Sequence, residues 1–345
     1  MTILKFSISL QCKYHNVMCR YINPFVDYGF KKLFATEANK DILISFLNAV
    51  IEDACDPIVE LTHKNVEQIG EFNGTKTSYF DVYCQTANGR RFIVEMQNTW
   101  KPFFKDRTLF YAAKAIRDQG DQVDPTDRTR VTEEKKKKWD YRLNEVYLIA
   151  VMNFNFSKKE YGPDDYYHKV MLSDVDDHHV FYDKLTLIYL EMPKIGEAKL
   201  DLKRPLDRWL KVLYLLWGGE QFPPELDEPV FRKLYKQAEY ARFNPDQQLT
   251  YERSRKVMWD TYSEIEGGRM LGHEQGLEEG REQGLKEGRE EGRKLGLEEG
   301  REEGREEGRT QGRKEGLLEA ARKMLAMGFE KATVAEAIGI DVKEL

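Results

Sequence analysis

Asp81 and Glu95 sit in two alternating runs, Tyr79-Phe80-Asp81-Val82-Tyr83-Cys84 and Phe92-Ile93-Val94-Glu95-Met96-Gln97, separated by Ala87-Asn88-Gly89. Runs of this kind around an Asn-Gly pair read as a β-hairpin. Two registers compete. A two-residue Asn88-Gly89 turn sets Asp81 opposite Met96 and puts Glu95 and Gln97 on the face of Phe80, Val82 and Cys84. A three-residue Ala87-Asn88-Gly89 turn, with Gly89 left-handed, sets Asp81 opposite Glu95. Patterning decides, because a one-residue slip moves every side chain to the other face. The three-residue register gathers Phe80, Val82, Cys84, Phe92, Val94 and Met96 on one apolar face and Tyr79, Asp81, Tyr83, Ile93, Glu95 and Gln97 on the other. We expect that register. It brings the Cβ atoms of Asp81 and Glu95 to about 4.5–5.5 Å, with Gln97 diagonal to Asp81.

Facing carboxylates repel, and no Lys or Arg sits between them on that face. A divalent cation would offset the repulsion, and Mg²⁺ is commonly held by one or two carboxylates with waters and substrate phosphate completing the shell. The plainer alternative is a solvated face with two unrelated acids.

The elements that must position this hairpin are legible from periodicity. Phe30, Leu33, Phe34, Ile42, Leu43, Phe46, Leu47 and Val50 recur at three and four, so Asn23–Ile51 reads as helical. Ile58–Thr62 reads as a short strand, and Lys76–Thr86 and Arg90–Asn98 as the two long strands of the hairpin. Thr108–Arg117 is helical, and residues 119–138, ending in Lys135–Lys138, read as a polar loop. Strands return at Glu145–Met152, Tyr166–Leu172 and Leu185–Leu190, each rich in β-branched or aromatic residues. Helices follow at roughly 205–217, 228–241 and 246–263. The sum is a mixed α/β domain over 21–262, behind a poorly patterned extension over 1–20.

Asn23-Pro24-Phe25-Val26-Asp27-Tyr28-Gly29-Phe30-Lys31-Lys32-Leu33-Phe34, then Asp81, then Glu95-Met96-Gln97, resemble the PD-(D/E)XK nuclease-family transposases, also called the recombination-promoting nuclease (Rpn) family. The resemblance is close over about 20–130 and looser to about 262. It implies a restriction-endonuclease-like core and Mg²⁺-dependent hydrolysis of DNA phosphodiesters, with Mn²⁺ as a possible substitute. Asp81 and Glu95 would be the metal ligands. Gln97 stands where the wider superfamily has lysine; an amide orients water but brings no positive charge. Asp27 is a candidate extra acid, with a turn or N-cap acid as the alternative. Arg107 and Tyr111, one helical turn apart, are candidate phosphate contacts or a salt bridge and a packed aromatic. Lys31 and Lys32 are rim candidates, with solvated lysines the plainer reading.

The resemblance also implies a role in recombination or mobile elements, with DNA as partner. We expect a low-specificity endonuclease. Its rival is a catalytically weak or inactive nucleic-acid-binding or oligomerising protein of the same fold, motivated by Gln97.

Other signals argue less. His178-His179 with Asp174, Asp176 and Asp177 suggests a metal site, but the segment reads as a turn. P-loop, G-x-S-x-G and HExxH patterns are absent, which removes local support for three common enzyme classes. Cys12, Cys19, Cys55 and Cys84 show no metal-ligand spacing and read as reduced thiols.

From Gly268 to Gly316 a glycine falls at every fourth position. Interior glycines oppose an isolated helix by about 1 kcal/mol each relative to Ala. We expect this 263–316 tract to be a solvated, partly helical spacer, with close contact between chains as the alternative. Residues 317–345 read as a small helical module, with a capping box at Thr333-Val-Ala-Glu336 and a stop at Gly339. Homo-oligomerisation through the tract or this module is the expected protein contact.

The chain has 345 residues, 41% of them hydrophobic, with a formal net charge of -6. Residues 264–316 hold 16 acidic and 11 basic side chains, so five of the six net negative charges lie there and the rest is close to neutral. Binding a polyanion through a local basic patch stays open. No apolar run reaches the roughly 18 residues of a membrane helix, and a cytoplasmic location without membrane contact is expected.

Overall fold

The computed structural model describes residues 20–53, 55–64, 80–121, 141–156 and 161–344. Expectations for residues 1–19, for the first part of the 76–86 strand and for Lys135–Lys138 fall outside them.

The strands that carry the acids run through the middle of one sheet. β1 (Thr62–His63), β2 (Val82–Gln85), β3 (Arg91–Gln97), β4 (Val146–Met152), β5 (Tyr167–Ser173) and β6 (Val180–Glu191) form a six-stranded sheet in the order β1-β2-β3-β4-β6-β5. β1, β2 and β3 pair antiparallel, β3, β4 and β6 pair parallel, and β5 returns antiparallel on β6. Every residue of β4 is buried, as expected of a central parallel strand covered on both faces.

Helices α1 (Asp27–Phe34), α2 (Lys40–Ile51), α4 (Pro205–Trp217) and α5 (Pro229–Ala238) supply one layer. Their apolar stripes meet Val82, Cys84, Phe92, Val94, Tyr147, Ile149, Ile188 and Leu190 in the larger core, where Phe34, Phe46 and Trp209 pack ring to ring. The opposite face packs on α3 (Phe104–Asp121). Phe104, Ala112 and Ala115 of α3 meet Ile93, Leu148, Ala150, Met152 and Tyr189 there. The β3-α3-β4 crossover thus carries a helix over the face that Glu95 and Gln97 share.

The three-residue turn is present. Val82 pairs with Val94 and Cys84 with Phe92, which aligns Asp81 with Glu95. Thr86 N–H donates to the Arg90 carbonyl across the turn at 3.0 Å, and Gly89 has φ +92°. A Cβ on Gly89 would lie 2.5 Å from Asn144 Nδ2, so glycine serves both the left-handed backbone and the close approach. Phe80 departs from the expected facing. It precedes β2, and its ring joins Tyr83 and Tyr111 in the core beneath α3 instead of the larger core.

Boundaries differ where burial and strand pairing are decoupled. Only Thr62 and His63 pair with β2, while Ile58 and Leu61 are buried as apolar loop residues. α3 starts earlier than expected because Phe104 continues the inward stripe of Thr108, Ala112 and Ala115. It also ends later, at Asp121, taking the first residues of the expected polar loop. β6 begins at Val180 because its outer half pairs with β5, although that half is mostly exposed and carries no apolar face.

The chain divides into two compact units, one ending at Ser263 and the other starting at Glu264. In the first, the start of helix α6 (Pro245–Ala326) is tied down by Tyr251 and Ser254, whose hydroxyls accept from the backbone N–H groups of Asn23 and Tyr28. In the second, the glycine tract is helical throughout rather than in part, and a Cβ at each of its glycines would meet nothing within 4 Å. At the start of the tract an exposed i,i+3 pair, Glu266 with Arg269, favours the helix. Gly328, at φ +95°, ends α6, and Gly339, at φ +73°, ends α7 (Lys331–Ile338). The Thr333 capping box is not used: the N-cap is Glu330, and Thr333 already lies within the helix.

Candidate active site at the hairpin

Glu95 is the most constrained acid of the hairpin. Its side chain is buried beneath α3, and Oε1 has no hydrogen-bond partner among the described residues. Burial, then the facing Asp81 carboxylate, push its pKa well above the ordinary Glu value, against the pull of Arg107. Asp81 lies just before β2, with 16% of its side chain exposed. Its Oδ2 accepts from the Met96 backbone N–H at 2.8 Å, which fixes the carboxylate against β3. Burial raises its pKa too, with the Met96 bond and Lys31 acting in opposition.

Positive charge beside Asp81 arrives from α1. Lys31 Nζ is 3.6 Å from Asp81 Oδ1 and 2.7 Å from Asp27 Oδ1. Partial burial pulls the Lys31 pKa down, but Asp27 and Asp81 more than offset this and leave it raised. Asp27 is one turn before Lys31 and more than half exposed, so it approaches Asp81 through Lys31 and does not close against the two hairpin acids. It is the first residue of α1 rather than its N-cap, which is Val26.

Gln97 ends β3 with both amide groups engaged. Oε1 accepts from Arg107 Nη2, and Nε2 donates to the Thr99 carbonyl at 3.1 Å, which leaves one amide hydrogen. Arg107 reaches inward from α3, its guanidinium 5.5 Å from the Phe104 ring centroid and 5.8 Å from that of Tyr111. Tyr111 packs edge-on against Phe80 at 5.3 Å between centroids. The structure therefore brings together Lys31, Asp81, Glu95, Gln97, Arg107 and, behind them, Tyr111. Lys32 turns elsewhere, with its ammonium 5.6 Å from the Phe243 ring centroid.

The second acidic group is the β5–β6 turn. Among the described residues, Asp174, Asp177 and His179 are the three potential ligands whose atoms lie mutually within 4.8 Å. Ordinary turn bonding accounts for them. Asp176 N–H donates to Asp174 Oδ1 and His179 N–H to Asp177 Oδ1, His179 Nδ1 also meets Asp177, and His178 has φ +61°. Cys84 is buried, which pushes its thiol up to about 12 and makes it a core residue; Cys55 is exposed.

Sequence reading missed a buried network at the end of β6. Glu191, fully buried, meets His168 Nε2 at 2.6 Å, Lys194 Nζ at 3.1 Å and the Phe156 N–H at 3.0 Å. It lies in register with Gln97 through Met152, on the same face. Lys194 is i+3 from Glu191, but His168 and the Phe156 N–H come from separate segments, so local spacing does not announce the network.

Residues 24–268 match the model of the PD-(D/E)XK nuclease family transposases. The chain belongs to that family. No curated protein and no solved structure matches it. A mixed six-stranded sheet with helices on both faces fits a PD-(D/E)XK fold. Family membership associates the chain with nucleases of mobile elements and points to DNA as the substrate class. PD-(D/E)XK nucleases typically use divalent metals. Among the described residues, no helix is long and apolar enough to cross a membrane.

Proposed function

We propose that this protein is a metal-dependent DNA endonuclease whose active site is the Asp81–Glu95 pair. One observation carries the reading: a buried Glu95 carboxylate, with one oxygen unpartnered among the described residues, faces a second, largely buried carboxylate. Leaving a buried polar atom unsatisfied costs about 1–3 kcal/mol. A divalent cation between the two acids would remove that cost and their repulsion, so the donor set fits Mg²⁺ or Mn²⁺. When bound, such an ion supplies Lewis acidity toward the scissile phosphate and lowers the pKa of an attacking water.

The chain's own groups divide the remaining tasks. Met96 N–H holds Asp81 Oδ2 and leaves Oδ1 toward Lys31. Lys31 provides the positive charge that Gln97 lacks and is placed to neutralise a non-bridging phosphate oxygen. Asp27 keeps Lys31 protonated and oriented. Gln97 anchors Arg107 for a backbone phosphate contact, and its remaining amide hydrogen can orient water. Tyr111 supports the Arg107 guanidinium from behind. The glycine-tract helix and the C-terminal helix are the parts we assign to self-association. A role in recombination or element mobility follows from the nuclease reading.

Plasmid cleavage tests it: supercoiled DNA is incubated with wild type, Asp81→Ala and Glu95→Ala in Mg²⁺ and in EDTA. Metal-dependent nicking lost in both variants supports the site. Cleavage that survives in both variants defeats it. DNA binding without cleavage by any of them moves the protein to the binding-only class, which the engagement of both Gln97 amide groups favours.

A further inference from the structure

The segment leaving the active site carries an unusual surface. Between Gln97 and the first turns of α3, Trp100 is 59% exposed, Phe103 79% and Phe110 57%. Trp100 is the most exposed described tryptophan. Phe103 has φ +59°, a conformation that a bulky side chain adopts only at a cost, and its carbonyl accepts the Arg107 N–H at 3.0 Å to start the helix. The backbone thus holds an aromatic ring outward at the helix entrance instead of folding it into the core that Phe104 enters.

Cations alternate with these rings. Arg107, Phe110 and Lys114 follow at i, i+3 and i+7 on one stripe of α3, and Phe103 stands just before the helix. Contacts run along it: Gln97 to Arg107, Arg107 to Tyr111, Tyr111 to Phe110 at 6.3 Å between centroids, and Lys114 Nζ 4.8 Å from the Phe110 ring. Lys101 lies between Trp100 and Phe103 in sequence, whereas Lys105 Nζ is 4.9 Å from the Phe156 ring centroid. Residues 98–117 hold five basic side chains (Lys101, Lys105, Arg107, Lys114, Arg117) against Asp106 alone, in a chain whose net charge is -6.

We infer that this stripe is a track for unpaired nucleotides, so the enzyme takes DNA with a single-stranded segment at or beside the cleaved bond. The inference rests on the nuclease reading above and adds its substrate class. Exposed rings offer stacking platforms that every base can use, and interleaved cations follow the phosphates. Bases inside a duplex are stacked on each other and cannot cover Trp100, Phe103 and Phe110 without being unpaired. A protein partner would be satisfied by the rings alone. The regular pairing of ring with cation, and its direct continuation into Gln97, match a polyanion that must end at the acid pair.

The experiment is fluorescence anisotropy on the full chain in EDTA, at one fixed salt concentration, with labelled oligo(dT) and a labelled blunt duplex of equal length. Wild type is expected to bind oligo(dT) more tightly than duplex. Trp100→Ala/Phe103→Ala is expected to weaken oligo(dT) binding by about thirtyfold or more while leaving duplex binding within about twofold. Trp100→Phe/Phe103→Tyr, which keeps both rings, is expected to restore it. Equal loss on both DNAs, no loss on either, or a wild-type preference for duplex overturns the track. A change in oligomeric state with DNA binding intact overturns it in favour of a protein contact. The two readings fail separately. Ring-dependent oligo(dT) binding without any cleavage sinks the nuclease and keeps the track, while ring-independent plasmid cleavage does the reverse.

Discussion

Two hairpins of the sheet each present acids, and they differ in almost every physical respect. At the β5–β6 turn, Asp177 and His179 are more than half exposed, and the Asp177 pKa is lowered by its bonds to His179. At the β2–β3 hairpin, burial raises the pKa of both Asp81 and Glu95. The turn acids are bonded within their own loop and exposed to solvent. At the hairpin, burial disfavours the charged form of both acids, and Lys31 and Arg107 offset this only in part. Proximity of ligand-type residues is therefore the poorer guide; an unsatisfied, costly arrangement is the better one.

The largest expected separation is in cleavage. Asp81→Ala and Glu95→Ala should each lower the plasmid nicking rate by at least about a hundredfold, whereas Asp174→Ala and Asp177→Ala should leave it within about twofold. Comparable losses from both pairs would erase the contrast.

Lys31 comes next. Lys31→Ala should reduce nicking by about tenfold to a hundredfold, and Lys31→Arg should recover part of it, since charge rather than shape is the contribution. Single-turnover rates on one plasmid preparation give the comparison, and an unaffected Lys31→Ala would return the charge problem to Gln97 and Arg107.

A smaller, thermodynamic signature should appear without substrate. Glu95 has a folded pKa above its unfolded value near 4.5, so between the two the native state holds more protons than the unfolded chain. Stability in EDTA should then fall as pH rises from about 4.5 through the raised value. Glu95→Gln should flatten that slope, and saturating Mg²⁺ should raise Tm in wild type, where bound cation favours the folded state. Melts across this pH range with and without Mg²⁺ test each part. The smallest effect is expected at the turn: Asp177→Asn should leave both Tm and the Mg²⁺ response essentially unchanged.

Much of this contrast was legible before any coordinates. The register followed from one apolar face, because Val82, Cys84, Phe92 and Val94 tolerate only one alignment if they are to enter the larger core. The turn at 174–179 was legible from adjacent histidines and acids that share no face. Lys31 was read only as a rim candidate, because its reach to Asp81 depends on how α1 packs beside the hairpin, which no local period encodes. Phe80 was misassigned because alternation was extended two residues beyond the strand, which starts at Val82. Glu191 and Lys194 are an i,i+3 pair that sequence reading passed over, and their junction with His168 joins separate segments whose spacing carries no signal.

Gly89 touches none of the acids, yet it acts as the stop that sets which residues meet. Its bare α-carbon lets Asn144 come close, and Asn144 is clamped by Gln119 of α3, which accepts its N–H at 2.7 Å and donates to its carbonyl at 3.1 Å. The turn is thus fastened to the helix that covers the site and to the entrance of β4. Six residues of strand, about 20 Å, carry this alignment to Glu95. A deletion in the turn would transpose the faces of the hairpin and leave every acid in the sequence, so a chain with intact motifs and no activity would trace to a loop at the far end of the strand.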